Sequence, residues 1–310
     1  MSAARKTILV VGAGGQVGWE LQRALAPLGA VLAVGQRTSP HAVDLADPDS
    51  IRGLVEAVRP AVVVNAAGYT AVDRAEQEPE RAMAINGEAP GVLAEQTQAQ
   101  GGVFVHYSTD YVFDGENPEP YSEEDAPAPL NVYGASKLEG ERAVEAVGGH
   151  YLTLRTSWVY GLRGHNFLLT MLRLAREREE LRIVDDQIGA PTWSRMLAEV
   201  TAVLLGRVLA EPALLDEAAG LYHVTSAGRT SWHGFAQRIL AQARLGADAR
   251  FKTLHAIPTG DYPTPAARPR NSLLSNAKLA EEFGIQLPPW DAALSLCLAD
   301  LAAASSGGKD

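Results

Sequence analysis

Three groups of residues in this chain have the types and spacing for chemistry. Tyr133 and Lys137 stand four apart in Tyr133-Gly134-Ala135-Ser136-Lys137, which on a helix puts both side chains on one face. An isolated phenol has a pKa of about 10, and a neighbouring ammonium lowers it, so the pair reads as a general acid with its tuner. Upstream, Ser108-Thr109-Asp110 closes an apolar, β-rich run. A hydroxyl at the carboxyl end of a parallel strand can hydrogen-bond a substrate carbonyl and hold it against Tyr133. The third group, Gly12-Ala13-Gly14-Gly15-Gln16-Val17-Gly18, follows the first apolar run directly. Glycines there allow a tight turn and let backbone N–H groups approach a pyrophosphate at a helix start. The spacing through Gly12, Gly15 and Gly18 departs from the strict Gly-x-Gly-x-x-Gly fingerprint, and Tyr-x-x-x-Lys is common by chance. The weight comes from finding all three in one chain.

The end of the second strand separates NAD from NADP, because a carboxylate there binds the ribose 2′-hydroxyl and repels a 2′-phosphate. Here the strand runs out as Val34-Gly35-Gln36-Arg37, without an acid. Arg37 can pair with a 2′-phosphate, so NADPH is expected in preference to NADH, against the ordinary reading of a solvated loop arginine. Asp44-Leu45 could clasp an adenine edge.

These residues need a scaffold, and the pattern of the first half predicts one. Strands are expected at Thr7–Val11, Ala30–Val34, 61–65, 103–108 and 151–157. Helices are expected at 16–27, Pro48–Val58 with Asp47 as cap, 78–100 as one long helix or a pair, and 131–147. Such alternation predicts an α/β fold, a doubly wound parallel sheet of Rossmann type. After Gly161 the rhythm changes: 166–179, 192–209 and 232–245 read as helices and 221–224 as a short strand. A proline-rich stretch, 257–269, precedes the last helices. Residues 1–160 are therefore read as a dinucleotide-binding domain, completed by segments within about 190–225. Residues 161–310 are read mainly as a smaller substrate-binding domain, with 302–310 as a frayed tail.

Composition narrows the class. Of 310 residues, 46% are hydrophobic and 21% charged, enough apolar material for one large or two moderate cores. No stretch approaches the ~20 apolar residues that cross a bilayer, and the basic start leads into a glycine turn rather than a signal core. One cysteine, Cys297, excludes an intrachain disulfide and fits a reducing cytoplasm. A net charge of −10 argues against nucleic acid as a partner while leaving room for one small anion in a local basic pocket.

With these motifs in view, the chain resembles the extended short-chain dehydrogenase/reductases, and within them the dTDP-4-dehydrorhamnose reductases. The likeness is carried by 12–18, 64–73, 107–115, 131–137 and Arg155-Thr156-Ser157-Trp158-Val159-Tyr160-Gly161. Further on it is carried by Asp186-Gln187-Ile188-Gly189-Ala190-Pro191-Thr192 and Ala267-Arg268-Pro269. The resemblance implies that Gly15, Gln16 and Val17 cradle the pyrophosphate, that Asp44 and Leu45 hold the adenine, and that Gly68, Tyr69, Thr70 and Tyr107 line the cofactor channel. Thr109, Tyr133 and Lys137 become the catalytic triad, with Lys137 also bonding the nicotinamide ribose. Thr109, Asp110 and Trp158 contact the sugar, Trp158 as an apolar wall for a deoxysugar methyl, although a core tryptophan is an equal reading of that residue alone. Arg268 is a candidate for the nucleotide diphosphate of a dTDP-linked deoxysugar. The implied reaction is hydride transfer to the sugar C4 ketone, with Tyr133 protonating the oxygen. A homodimer is one arrangement open to such a chain. Some relatives bind Mg²⁺ through glutamates at a dimer contact; Glu20 fits one such position, but Arg195 stands where a second carboxylate belongs, so no metal is expected. Two rivals are weighed. A nucleotide-sugar dehydratase needs an Asp-Glu pair after the threonine, whereas Asp110 is followed by Tyr111; an epimerase would retain and recycle its NAD. A non-catalytic dinucleotide-binding regulator, like the similar regulatory subunit of methionine adenosyltransferase, would not need an intact Thr109, Tyr133 and Lys137.

Overall fold

The computed structural model of the chain describes residues 5–36, 40–243, 245, 246 and 249–306. In chain order its main elements are β1 (Thr7–Val11), α1 (Gln16–Ala24), β2 (Ala30–Val34), α2 (Pro48–Val58), β3 (Val62–Asn65) and α3 (Ala89–Ala99). They continue with β4 (Val103–Thr109), α4 (Val132–Val147), β5 (Tyr151–Thr156), α5 (Phe167–Glu177) and α6 (Ser194–Ala210). The last are β6 (Gly220–His223), α7 (Trp232–Gln242) and α8 (Trp290–Ser306). Six strands form one sheet in the order β6-β5-β4-β3-β1-β2, and every pairing is parallel. This is the Rossmann-type α/β sheet. The chain builds outward from β1 in both directions, so the switch point where such sheets bind ligands lies between β1 and β3.

The strands are apolar on both faces because both are covered. Ile8 and Val10 point into a core with Leu21 of α1, Leu25 just past its end, and Leu197 and Leu204 of α6. Their neighbours Leu9 and Val11 point the other way, to Ile51 and Val55 of α2, Leu93 of α3 and Val144 of α4. This period-two division is what a near-continuous β-branched run produces in a parallel sheet, and each fully buried aliphatic side chain stabilises the fold by roughly 1.5–3 kcal/mol. A further core joins α5, α7 and α8 through Leu168, Met171, Phe235, Ile239 and Leu294. Capping agrees with the sequence. Asp47 accepts from the Asp49 N–H at the proline-led start of α2, and Asn131 accepts from the Gly134 N–H at the start of α4.

Several expectations are corrected. Residues 78–100 are neither one regular helix nor a simple pair: Pro79–Met83 passes through a wide π-turn, Ala84–Glu88, into α3. The ring of Pro90 would crowd the Asn86 carbonyl in a regular helix, and the wide turn relieves that. The helix expected from 192 begins at Ser194, after a two-residue strand, Thr192–Trp193, paired with Val159–Tyr160. The one expected to reach 245 ends at Gln242. Two unanticipated strands, Glu180–Val184 and Thr253–Ile257, pair in parallel; most of their residues are exposed or half-buried and carry little burial signal, and their partners are distant in sequence. Residues 302–306 do not fray but continue α8, as the strong helix-former Ala302-Ala303-Ala304 favours. Arg37 and residues 307–310 lie outside the described residues. No helix among the described residues is long and apolar enough to cross a membrane.

Candidate active site

β1 ends at a turn that only glycine fits. Gly12 has φ +98°, and a Cβ there would lie 2.7 Å from the Ala67 nitrogen. The turn delivers the chain into α1, whose N-cap, Gly15, offers no side-chain cap, and the first turn of α1 holds no acid. Its leading N–H groups therefore remain available to an anion, which the helix dipole also favours. Gln16 anchors the turn from the side: its Oε1 accepts from Asn166 Nδ2 at 2.9 Å.

A cleft of about 960 Å³ opens at this edge of the sheet. Gly12, Gly15, Gln16 and Val17 of the turn border it, as do Asp44 and Leu45 past β2 and Gly68, Tyr69 and Thr70 past β3. Thr109 and Asp110 border it from the end of β4, Tyr133 and Lys137 from α4, and Trp158 from beyond β5. The Asp44 carboxylate also braces its own turn, accepting from the Ala46 N–H at 3.0 Å. Tyr107 reaches the cleft too, but its ring packs in the core and its hydroxyl bonds Thr201 at 2.6 Å. Its contribution to the site is its carbonyl, which accepts from Lys137 Nζ at 2.5 Å.

The electrostatics around Tyr133 differ from the sequence expectation. Burial pushes the Tyr133 phenol up to about 12, with the Thr109 hydroxyl opposing and Asp110 reinforcing. The Lys137 nitrogen is turned to the Tyr107 carbonyl and to His106 Nε2 at 3.3 Å, and burial brings the lysine itself down to about 8, against the pull of Glu141. Thr109 donates to Asp110 Oδ1 at 3.0 Å and accepts from the Tyr111 N–H at 3.2 Å. Burial raises the Asp110 carboxyl to about 7, while the hydroxyls of Ser272 and Thr109 act in the other direction. Asp110 Oδ2, Ser108 Oγ and Thr156 Oγ1 are buried without hydrogen-bond partners at this end of β4 and β5. Unsatisfied polar groups lining a cleft suit a polar ligand.

Arg268 is not brought to the cleft wall. Its guanidinium makes a bidentate pair with Asp73, at 2.8 Å on both oxygens, and also donates to the Ala266 carbonyl. That pairing holds the Asp73 carboxyl below its usual range. The exposed Arg81 borders the cleft instead; an arginine in a polar helix start gives no sequence signal. Asn86, also unforeseen, braces the wall. Its amide bonds the Tyr69 N–H and carbonyl at 2.8 and 3.0 Å and the Ser136 hydroxyl at 3.0 Å. Trp232 is another, stacked on Trp158 at 3.6 Å between ring centres and bordering the same cleft; as the first residue of a helix it carries no site signal in the sequence. Glu20 is met by Arg195 at 3.3 Å, and the same arginine reaches Asp300. A cation already stands there, and no cluster of three or more candidate ligands for a metal occurs among the described residues.

The comparisons with known proteins bear on the whole chain. The RmlD substrate binding domain model matches residues 6–303. A dTDP-4-dehydrorhamnose reductase of Burkholderia thailandensis is 54% identical over 297 residues, 95% of this chain and 98% of that protein. The chain belongs to the dTDP-4-dehydrorhamnose reductase family. Another dTDP-4-dehydrorhamnose reductase, from Escherichia coli K12, is 45% identical over 95% of this chain and 97% of its own. The crystal structure of the Bacillus anthracis dTDP-4-dehydrorhamnose reductase in complex with NADP superimposes with a TM-score of 0.84 at 34% identity, covering 96% of this chain and 99% of that one. The fold extends past the dTDP-4-dehydrorhamnose reductase family: a Thermus thermophilus UDP-glucose 4-epimerase in complex with NAD has a TM-score of 0.76 at 19% identity, covering 94% and 98%.

Proposed function

We propose that this chain reduces the C4 ketone of dTDP-4-dehydrorhamnose to dTDP-L-rhamnose, using NADPH in preference to NADH. The observation that carries the reading is the meeting of Tyr133, Lys137 and Thr109 on one cleft wall with the uncapped start of α1 on the same cleft. The family named above supports it. The uncapped helix start and the close approach at Gly12 suit a dinucleotide pyrophosphate, and Gly15, Gln16 and Val17 would hold it, with Asp44 and Leu45 at the adenine and Gly68, Tyr69 and Thr70 along the channel. Arg37 would meet the 2′-phosphate. NADPH, when bound, supplies the hydride to the sugar C4.

The chain's own residues do the rest. Thr109 holds the ketone oxygen by a hydrogen bond, and Tyr133, whose phenol stays protonated at neutral pH, gives that oxygen its proton. Lys137 keeps a donor beside the ribose. Asp110 and Trp158 orient the sugar, the first through its free carboxyl oxygen and the second by an apolar surface. A dinucleotide-recycling epimerase would use the same parts, so net consumption of NADPH with the 4-keto-6-deoxy-L-sugar nucleotide is the test. Stoichiometric loss of absorbance supports reduction; turnover without cofactor consumption sinks it. Tyr133→Phe is expected to lose about 10²-fold or more in kcat while still binding NADPH. We place the reaction in the cytoplasm, with the sugar nucleotide as the partner.

A further inference from the structure

A buried polar chain reaches Lys137 from behind the cleft. β3 ends at Asn65, whose register partner on β4 is His106, and His106 is wholly buried. The Asn65 Oδ1 accepts the Ala67 backbone N–H at 3.2 Å. A backbone N–H can only donate, so the orientation of the amide is settled by its partner. The amide NH₂ therefore faces His106 Nδ1 at 3.2 Å, and Nδ1 must accept. A neutral imidazole that accepts at Nδ1 carries its proton on Nε2; an imidazolium would set one N–H against another. That Nε2 lies 3.3 Å from Lys137 Nζ, while the lysine donates to the Tyr107 carbonyl. An ammonium has donors only, so it gains nothing from an N–H facing it. An amine would accept there and still donate to Tyr107.

We infer that His106 is a positioning residue for Lys137: held by Asn65 with its proton on Nε2, it turns a donor onto the lysine nitrogen and sets the pH above which the site loses its ammonium. The inference rests on the role of Lys137 proposed above. The other groups around the lysine act whichever nitrogen of His106 carries the proton. On α4 these are Tyr133 one turn back and Glu141 one turn on, the latter paired with Arg155 of β5 at 2.6 Å. From β4 they are the Tyr107 carbonyl and, past the strand end, Asp110. Only the histidine tautomer reverses sign between donor and acceptor.

Two measurements test this. Nitrogen-15 NMR of histidine-labelled protein, with the His106 signal assigned through its loss in His106→Phe, should show a bare Nδ1 and a protonated Nε2, unchanged from about pH 5 to 9. A protonated Nδ1, or titration in that range, overturns the inference on the unmodified chain. In the second, Asn65→Leu removes the amide, freeing the imidazole to move its proton to Nδ1 and offer Nε2 to the ammonium. The alkaline limb of kcat/KM for ketone reduction should then rise by about one pH unit, about tenfold more retained activity well above the limb. The same change in a His106→Phe background should leave the limb where His106→Phe alone puts it. A wild-type limb in folded Asn65→Leu, or an equal shift in both backgrounds, overturns the inference. Failure of the reductase reading would show separately, as a Tyr133→Phe variant at wild-type rate, with the tautomer still readable by NMR.

Discussion

Tyr133 holds its proton because it is buried, and burial outweighs the Thr109 hydroxyl beside it. A phenol pushed up to about 12 does not ionise in the working range, so the alkaline loss of kcat/KM should follow Lys137, near pH 8, rather than the phenol. A limb above about pH 10 would assign it to the tyrosine instead. Asp110 gives the complementary test through stability. Its folded pKa is raised from 3.8 to about 7, so between those values the folded chain keeps a proton that the unfolded chain releases. Its contribution to stability therefore falls as pH rises through that window, and the full penalty is present above it. Asp110→Asn should raise the Tm at pH 8, by on the order of a few kcal/mol of stability, and much less at pH 4, while lowering turnover. An equal gain at both pH values would show that the carboxyl is not strained by burial.

At the scale of elements, the Trp158 end of the cleft is shaped by a wall that three segments build together. Trp158, just past β5, adopts φ +45°, a conformation costing an L residue of order 1–3 kcal/mol unless its surroundings over-determine it. Here Trp232 of α7 stacks on one indole face at an interplanar angle of 5°. The stretch carrying Gly189 closes in so tightly that a Cβ there would lie 2.4 Å from the indole. Gly189→Ala must displace the ring, and overpacking of this kind costs about 1–3 kcal/mol. The expected result is a rise of roughly tenfold in KM for the sugar nucleotide with the NADPH dissociation constant unchanged. If both constants stay at wild type, Trp158 does not touch the sugar. By the same geometry Gly12→Ala should weaken NADPH binding and leave the Trp158 wall alone.

Across the whole molecule, the helix that carries Tyr133 and Lys137 is fastened to the sheet by a buried ion pair. Arg155 of β5 donates to both oxygens of Glu141 on α4, at 2.9 and 2.6 Å. It also lies 3.5 Å from His223 of β6 and packs over Phe113. The strand that enters the sheet last in sequence is thus linked to the helix that carries Tyr133 and Lys137. Glu141→Ala leaves a guanidinium buried without its partner, which costs about 3–5 kcal/mol. Denaturant unfolding should show that loss; a change below about 1 kcal/mol would mean the pair is not what holds α4 in place. No sequence pattern pointed to this pair, because Glu141 sits on a helix face that reads as polar and Arg155 within a strand that reads as apolar.

Local geometry made much of the site legible in advance. The glycine turn after β1, the four-residue step from Tyr133 to Lys137 and the hydroxyl of Thr109 at a strand end each depend on residues close in sequence, whose spacing sets direction through the periods of helix and strand. What the sequence left open depends on partners far along the chain. Arg268 meets Asp73, Trp232 covers Trp158, Tyr107 turns its hydroxyl to Thr201, and Lys137 turns its nitrogen to Tyr107 and His106. Periodicity says which face a side chain takes, but the charge or ring it meets there is chosen by how distant elements pack, and only the tertiary structure decides that.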